Sequence, residues 1–134
     1  MSPVALVVDD SMLIRHTVCR LLEEHGFEVE TASNGIEAVA HLDSRLPDLI
    51  VTDLQMPKMT GRELITELKR SAKTKAIPVV VVSGRESGFD GHESRADYCI
   101  NKDIDIQSQL ETALKEMRQR AKSQASSSRN SAPL

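Results

Sequence analysis

Three short runs of almost unbroken aliphatic residues, Val4 to Val8, Leu49 to Thr52 and Val79 to Val82, most constrain what this chain can fold into. Each is too short for a buried helix and rich in β-branched side chains, as expected of strands covered on both faces. Strands of that kind belong to parallel sheets flanked by helices, and helical patterns lie between these runs. Phe27-Glu28-Val29-Glu30 alternates apolar with charged residues and reads as a half-exposed edge strand. Tyr98 to Asn101 is a weaker fifth strand. The fold class is α/β.

Between the strands, Ile14, Val18, Leu21 and Leu22 recur at helical spacing, and Gly26 stands where a helix stop belongs. Asn34 can cap a second helix carrying Ile36, Val39 and Leu42. Thr60 and Glu63 have capping-box spacing ahead of Leu64, Ile65 and Leu68. Ile106, Leu110, Ala113, Leu114 and Met117 line one face of a last helix. The span Gly84 to Ala96 breaks the pattern, with three glycines and only Phe89 and Ala96 as apolar anchors. Each interior glycine costs a helix roughly 1 kcal/mol against alanine, so a short or degenerate helix is predicted there. From residue 122 to 134 the chain is polar and serine-rich, and cannot offset the entropy of ordering. Residues 1–121 are expected to form one domain, and 122–134 a disordered tail or linker.

Bulk charge excludes some functions. The net charge is −3 and the basic residues are spread along the chain, which argues against a nucleic-acid footprint. Phe27, Phe89 and Tyr98 are the only aromatic residues, too few for a base-stacking platform. No apolar run approaches the ~20 residues a membrane helix needs, and no secretory signal opens the chain. A cytoplasmic protein without membrane contact is expected. Cys19 and Cys99 fit no metal or redox spacing and read as ordinary thiols. His16, His25, His41 and His92 show no ligand spacing either.

The polar residues that end the strands form a set. In open α/β sheets, ligands bind beyond the carboxyl ends of the strands. The first strand ends in Asp9-Asp10, the third in Asp53 and the fourth in Ser83, while the fifth leads into Lys102. Three carboxylates brought together repel, and a hard divalent cation relieves that repulsion. Mg²⁺ uses one or two carboxylates and leaves other positions to water and phosphate oxygens, which suits phosphoryl chemistry. Ser83 can then donate to a phosphoryl oxygen and Lys102 can neutralise another. Asp9 or Asp10 could instead cap the first helix. Capping accounts for one aspartate, but not for two with Asp53 across the sheet.

The stretches Val-Val-Asp9-Asp10-Ser11, Val-Thr-Asp53-Leu-Gln55-Met56-Pro57-Lys-Met-Thr-Gly61 and Val-Val-Ser83-Gly84, followed by Lys102, resemble the receiver domain of bacterial response regulators. The resemblance covers roughly residues 3 to 120. It implies a flavodoxin-like, doubly wound sheet of five parallel strands in the order 2-1-3-4-5, as in the chemotaxis receivers. It also implies that Asp53 accepts a phosphoryl group from a histidine kinase or a histidine phosphotransfer protein, and that the domain signals to a downstream protein by contact. Mg²⁺ would be held by Asp10, Asp53 and the backbone carbonyl of Gln55, with Asp9 acting mostly through water. Ser83 would move toward the phosphoryl group and Lys102 would pair with it. The Gln55 side chain would tune phosphoryl lifetime, and Gly84 would leave the site open. No separate enzyme activity is implied. Aspartate-nucleophile phosphohydrolases carry a second acid where Gln55 stands, and no Gly-rich phosphate loop is present.

Three departures accompany the resemblance. Cys99 occupies the position where the family has an aromatic residue, and Tyr98, one residue early, belongs to the opposite strand face. Asp103 follows Lys102 where the family has a proline after a cis bond. A cis bond without proline costs about 2.5–4 kcal/mol, so a trans bond and a shifted lysine loop are expected. Asp103 could also draw Lys102 into a local ion pair. Arg85, two residues after Ser83, would either gate access to Asp53 or face solvent. The third departure is the short interval from Ser83 to Lys102, with its degenerate helix. Together the missing aromatic, Asp103 and that helix support an alternative, a pseudo-receiver that keeps the fold without switching.

Overall fold

The computed structural model describes residues 2–84 and 93–130, with side chains described as far as Arg120. The elements are β1 (Val4–Val8), α1 (Met12–Glu24), β2 (Glu28–Ala32), α2 (Gly35–Ser44), β3 (Leu49–Thr52), α3 (Gly61–Arg70), β4 (Val79–Ser83), β5 (Tyr98–Asn101) and α4 (Ile106–Asn130). The strands form one parallel sheet in the order β2-β1-β3-β4-β5.

Alternation along each strand divides the core between the two faces of the sheet. Ala5, Val7, Val51, Val80 and Val82 pack with Val18 and Leu22 of α1 and with Leu110 and Leu114 of α4. Leu6, Val8, Ile50, Val79 and Val81 face the other way, against Ala38 of α2 and Leu64, Ile65 and Leu68 of α3. The three continuous aliphatic runs are the buried strands, and β2 is the half-exposed edge. A one-residue slip in any central strand would exchange these two sets, so burial pins the register. The pinned register brings the carboxyl ends of β1, β3, β4 and β5 to one edge.

The helix ends follow local chemistry. Ser11 caps α1 by accepting from the Ile14 N–H at 3.3 Å, which leaves Asp9 and Asp10 out of the capping role. Asn34 accepts from Glu37 N–H at 3.0 Å, and Thr60 with Glu63 makes both arms of a capping box. Gly26 follows α1 at φ +90°, a left-handed turn that favours glycine.

Two expectations meet the structure differently. The degenerate helix predicted within Gly84 to Ala96 falls largely on residues 85–92, outside the described residues. Beyond them, Glu93 to Asp97 forms a turn secured to α3: Glu93 pairs with Arg62 and Arg95, and Arg95 donates to Thr66 Oγ1 at 2.7 Å. The backbone of 122–130, expected as a disordered tail or linker, continues α4 to Asn130. Extending an existing helix costs far less than starting one, and the alanine, lysine and glutamine there favour it. Residues 131–134 lie outside the described residues.

Candidate functional site

Asp53 comes immediately after β3, and its backbone N–H still follows the ladder by donating to Val8 O at 2.9 Å. The residue is 2% exposed. Its Oδ1 accepts from Leu54 N–H at 2.7 Å, from Gln55 N–H at 3.4 Å and from the Ser83 hydroxyl at 3.2 Å. Its Oδ2 lies 3.2 Å from Lys102 Nζ. One carboxylate thus gathers groups from the loop after β3, from β4 and from the loop after β5.

The loop after Asp53 folds back tightly. Met59 N–H donates to Pro57 O at 2.8 Å, closing a three-residue turn around Lys58 at φ +68°. The turn brings Met59 onto Gly35 at the start of α2, where an added Cβ would lie 2.6 Å from Met59 Cγ. The Met-Pro-Lys-Met-Thr-Gly run therefore packs back on the start of α2 and, through Gly61, on the backbone of Asp53.

Asp9, Asp10 and Asp53 each offer a carboxylate oxygen within 4.8 Å of the others. Asp9 is buried and Asp10 exposed. Asp9 Oδ1 accepts from Ser11 N–H at 2.8 Å, whereas Oδ2 is buried with no hydrogen-bond partner, alone in this among the described side chains. An unpartnered buried carboxylate oxygen is costly. Burial pushes the Asp9 carboxyl up to about 6 and the charge of Asp53 adds to that, against the lowering effect of the Ser11 N–H. An orphaned oxygen on a carboxylate clustered with two others fits a hard divalent cation. For Lys102, burial pulls the ammonium down, but the attraction of Asp53 together with that of Asp9 and Asp10 outweighs it and the net shift is upward.

All the residues read from strand ends converge: Asp9, Asp10, Asp53, Ser83 and Lys102 meet at one edge of the sheet. Gln55 follows with an exposed side chain. Lys102 reaches Asp53 despite the aspartate beside it, and no cis peptide occurs among the described residues. Gly84 does not leave the expected opening. An added Cβ would meet Asp103 Oδ2 at 3.0 Å and Lys102 Cγ at 3.1 Å, so the lysine loop fills that space. Tyr98 and Cys99 do lie on opposite faces, Tyr98 toward Ile106 and Met117, Cys99 toward Ala96. Arg85 lies outside the described residues.

A family model described as "Response regulator receiver domain" matches residues 5–115. The chain belongs to that family. Receiver relatives include the protein PilH of Pseudomonas aeruginosa, 33% identical over 110 residues that make up 80% of this chain and 91% of PilH. Protein-glutamate methylesterase/protein-glutamine glutaminase 3 of Rhodospirillum rubrum is 52% identical over 79 residues, 58% of this chain but 20% of that protein. Histidine kinase P4 of Formosa agariphila is matched over only 8% of its length. The receiver thus spans a small part of these two longer relatives. Among solved structures, the chemotaxis response regulator CheY4 of Vibrio cholerae is similar with a TM-score of 0.71 at 31% identity, covering 89% of this chain and 98% of that one. The response regulator protein TrrA of Thermotoga maritima, solved in complex with Mg(2+)-BeF, gives 0.70 at 29% identity, covering 84% and 97%.

This receiver domain also contains contacts that strand-end reasoning did not find. Asn101 and Gln109 bond to each other beside Lys102, and Glu93 is buried between Arg62 and Arg95. A glutamine in the first turn of a helix carries no sequence signal, because polar residues are ordinary there.

Proposed function

We propose that Asp53 is the phosphoacceptor of a response-regulator receiver, loaded by a histidine kinase or histidine phosphotransfer protein in the cytoplasm and read by a downstream protein through surface contact. One observation carries this reading: the buried Asp53 carboxylate holds Ser83 and Lys102 while facing Asp9 and Asp10. In the reaction an Asp53 carboxylate oxygen attacks phosphorus. The phosphorus–nitrogen bond breaks, its electron pair stays on the departing imidazole, and an acyl phosphate forms.

Asp9, Asp10, Asp53 and the backbone carbonyl of Gln55 would hold Mg²⁺. When bound, the ion neutralises charge that develops on the phosphoryl oxygens. The remaining chemistry belongs to the chain. The Leu54 and Gln55 N–H groups orient the Asp53 carboxylate, and burial excludes competing water. Ser83 and Lys102, now engaged by Asp53, transfer their hydrogen bonds to phosphoryl oxygens, and β4 and the lysine loop move with them.

The test is radiolabelled acetyl phosphate with Mg²⁺. Wild-type protein should acquire acid-stable, base-labile label and Asp53→Ala should not; equal labelling of both would refute the assignment.

Cys99 on the α3 side of β5 supports a second reading, a pseudo-receiver whose surface does not respond to the modification. Under that reading, Mg²⁺ with beryllofluoride would shift backbone resonances only around Asp53 and not in β5 or α4.

A further inference from the structure

The backbone that carries Lys102 leaves the sheet at its edge. β5 is the last strand in the order, so Asn101 has β4 on one side only. On that inner side, Lys102 N–H donates to Ser83 O at 3.1 Å. On the outer side, both backbone groups of Asn101 meet the side-chain amide of Gln109. Oε1 accepts from Asn101 N–H at 3.0 Å and Nε2 donates to Asn101 O at 2.8 Å. The same Nε2 lies 3.3 Å from Ile104 O and 3.1 Å from Asp105 O. Asn101 closes the loop from within: its Oδ1 accepts from Asp103 N–H at 2.9 Å and its carbonyl from Ile104 N–H at 3.2 Å.

A primary amide presents an acceptor and two donors in one plane, like a short piece of peptide. Gln109 therefore acts as a one-residue neighbouring strand for Asn101, and its second N–H ties off carbonyls at the far end of the loop. Lys102 lies between these anchors. Its four-carbon stem is flexible, so the position of Nζ on Asp53 depends on where the backbone places the Cα. Three groups set that place: Ser83 O, Asn101 Oδ1 and the Gln109 amide.

We infer that Gln109 is the positioning residue that sets Lys102 against Asp53, and through it the lysine's grip on the phosphoryl group. The inference rests on the phosphoacceptor reading above. Gln109→Glu is the discriminating change. It keeps the size and the acceptor for Asn101 N–H, but turns a carboxylate oxygen toward the carbonyls of Asn101, Ile104 and Asp105. Gln109→Met keeps the length and removes every hydrogen bond.

The measurement is affinity for beryllofluoride at saturating Mg²⁺, followed by ¹⁹F resonance, alongside affinity for Mg²⁺ alone. Gln109→Glu should weaken beryllofluoride about tenfold and leave Mg²⁺ affinity within about twofold, since the carboxylates are untouched. In a Lys102→Met background the same change should cost less than about twofold, because the lysine grip is already lost. Gln109→Met should follow the same pattern, and supplies the test if the glutamate variant does not fold by circular dichroism. Unchanged beryllofluoride affinity, or an equal loss with and without Lys102, would overturn the inference. A wild-type protein that binds Mg²⁺ but takes no beryllofluoride would overturn the phosphoacceptor reading and this inference with it.

Discussion

Gly61 lies directly against the backbone carbonyl of Asp53: a Cβ on it would sit 2.0 Å from that oxygen and 2.8 Å from Leu54 Cα. Gly61 N–H also donates to Leu54 O at 2.8 Å. The first residue of α3 thus touches the peptide of the proposed phosphoacceptor, and glycine is required for the close approach. Gly61→Ala must displace backbone rather than a side-chain tip. It should destabilise the fold by about 1–3 kcal/mol, as overpacking does, and slow labelling of Asp53. Urea unfolding and acetyl phosphate labelling check the two effects, and a fully stable, normally labelled variant would contradict them.

Ser83 separates chemistry from stability. Its hydroxyl is fully buried on Asp53 Oδ1, an oxygen that also accepts from two backbone N–H groups. Ser83→Ala leaves those two donors in place, so the loss of stability should stay near 1 kcal/mol. Beryllofluoride affinity should fall much further in proportion, because in the proposed reaction the hydroxyl donates to the incoming group. Equal, small effects on both would argue that Ser83 is only a packing residue.

Asp9 supplies a pH signature. Its carboxyl is raised from the ordinary 3.8 to about 6, chiefly by burial. Between those values the folded protein holds a proton that the unfolded chain has lost, so this group's contribution is fully present below 3.8 and lost as pH rises through about 6. In the absence of divalent metal, Asp9→Asn should therefore be more stable than wild type at pH 7.5 and lose that advantage at pH 4.5. Wild-type Mg²⁺ affinity should weaken as pH falls below about 6, since metal must displace the Asp9 proton. Thermal unfolding in chelator and calorimetric Mg²⁺ titration read these out. A pH-independent difference between the two proteins would count against a raised Asp9.

Glu93 tests the turn that precedes β5. Its side chain is 4% exposed between Arg62 and Arg95, and the hydrogen bond from Arg95 leads the effects that hold its carboxyl below the ordinary range. A lowered acid contributes stability that is present above its ordinary value of 4.5 and lost as pH falls through the folded value. Glu93→Gln should cost about 1–2 kcal/mol at pH 7, with both arginines free to return to solvent. The difference from wild type should shrink toward pH 3, and amide exchange should rise from residue 93 to 97. Unchanged exchange there would mean that the ion pairs do not hold the turn.

Much of this architecture was legible locally. The aliphatic runs became β1, β3 and β4, the alternating run became the edge strand, and Asn34 and Thr60 capped as their spacing indicated, whereas Ser11 rather than Asp9 or Asp10 caps α1. Those features depend on periodicities and hydrogen bonds that span a few residues. The convergence of Asp9, Asp53, Ser83 and Lys102 could be anticipated because strand ends in a parallel sheet share one edge. Tertiary structure decided the rest: which of two adjacent aspartates is buried with an orphaned oxygen, what fills the room beside Gly84, and how Gln109 and Glu93 secure the segments flanking β5. Such contacts join residues whose separation along the chain has no fixed relation to their separation in space. Only packing to full density determines which side chains meet there.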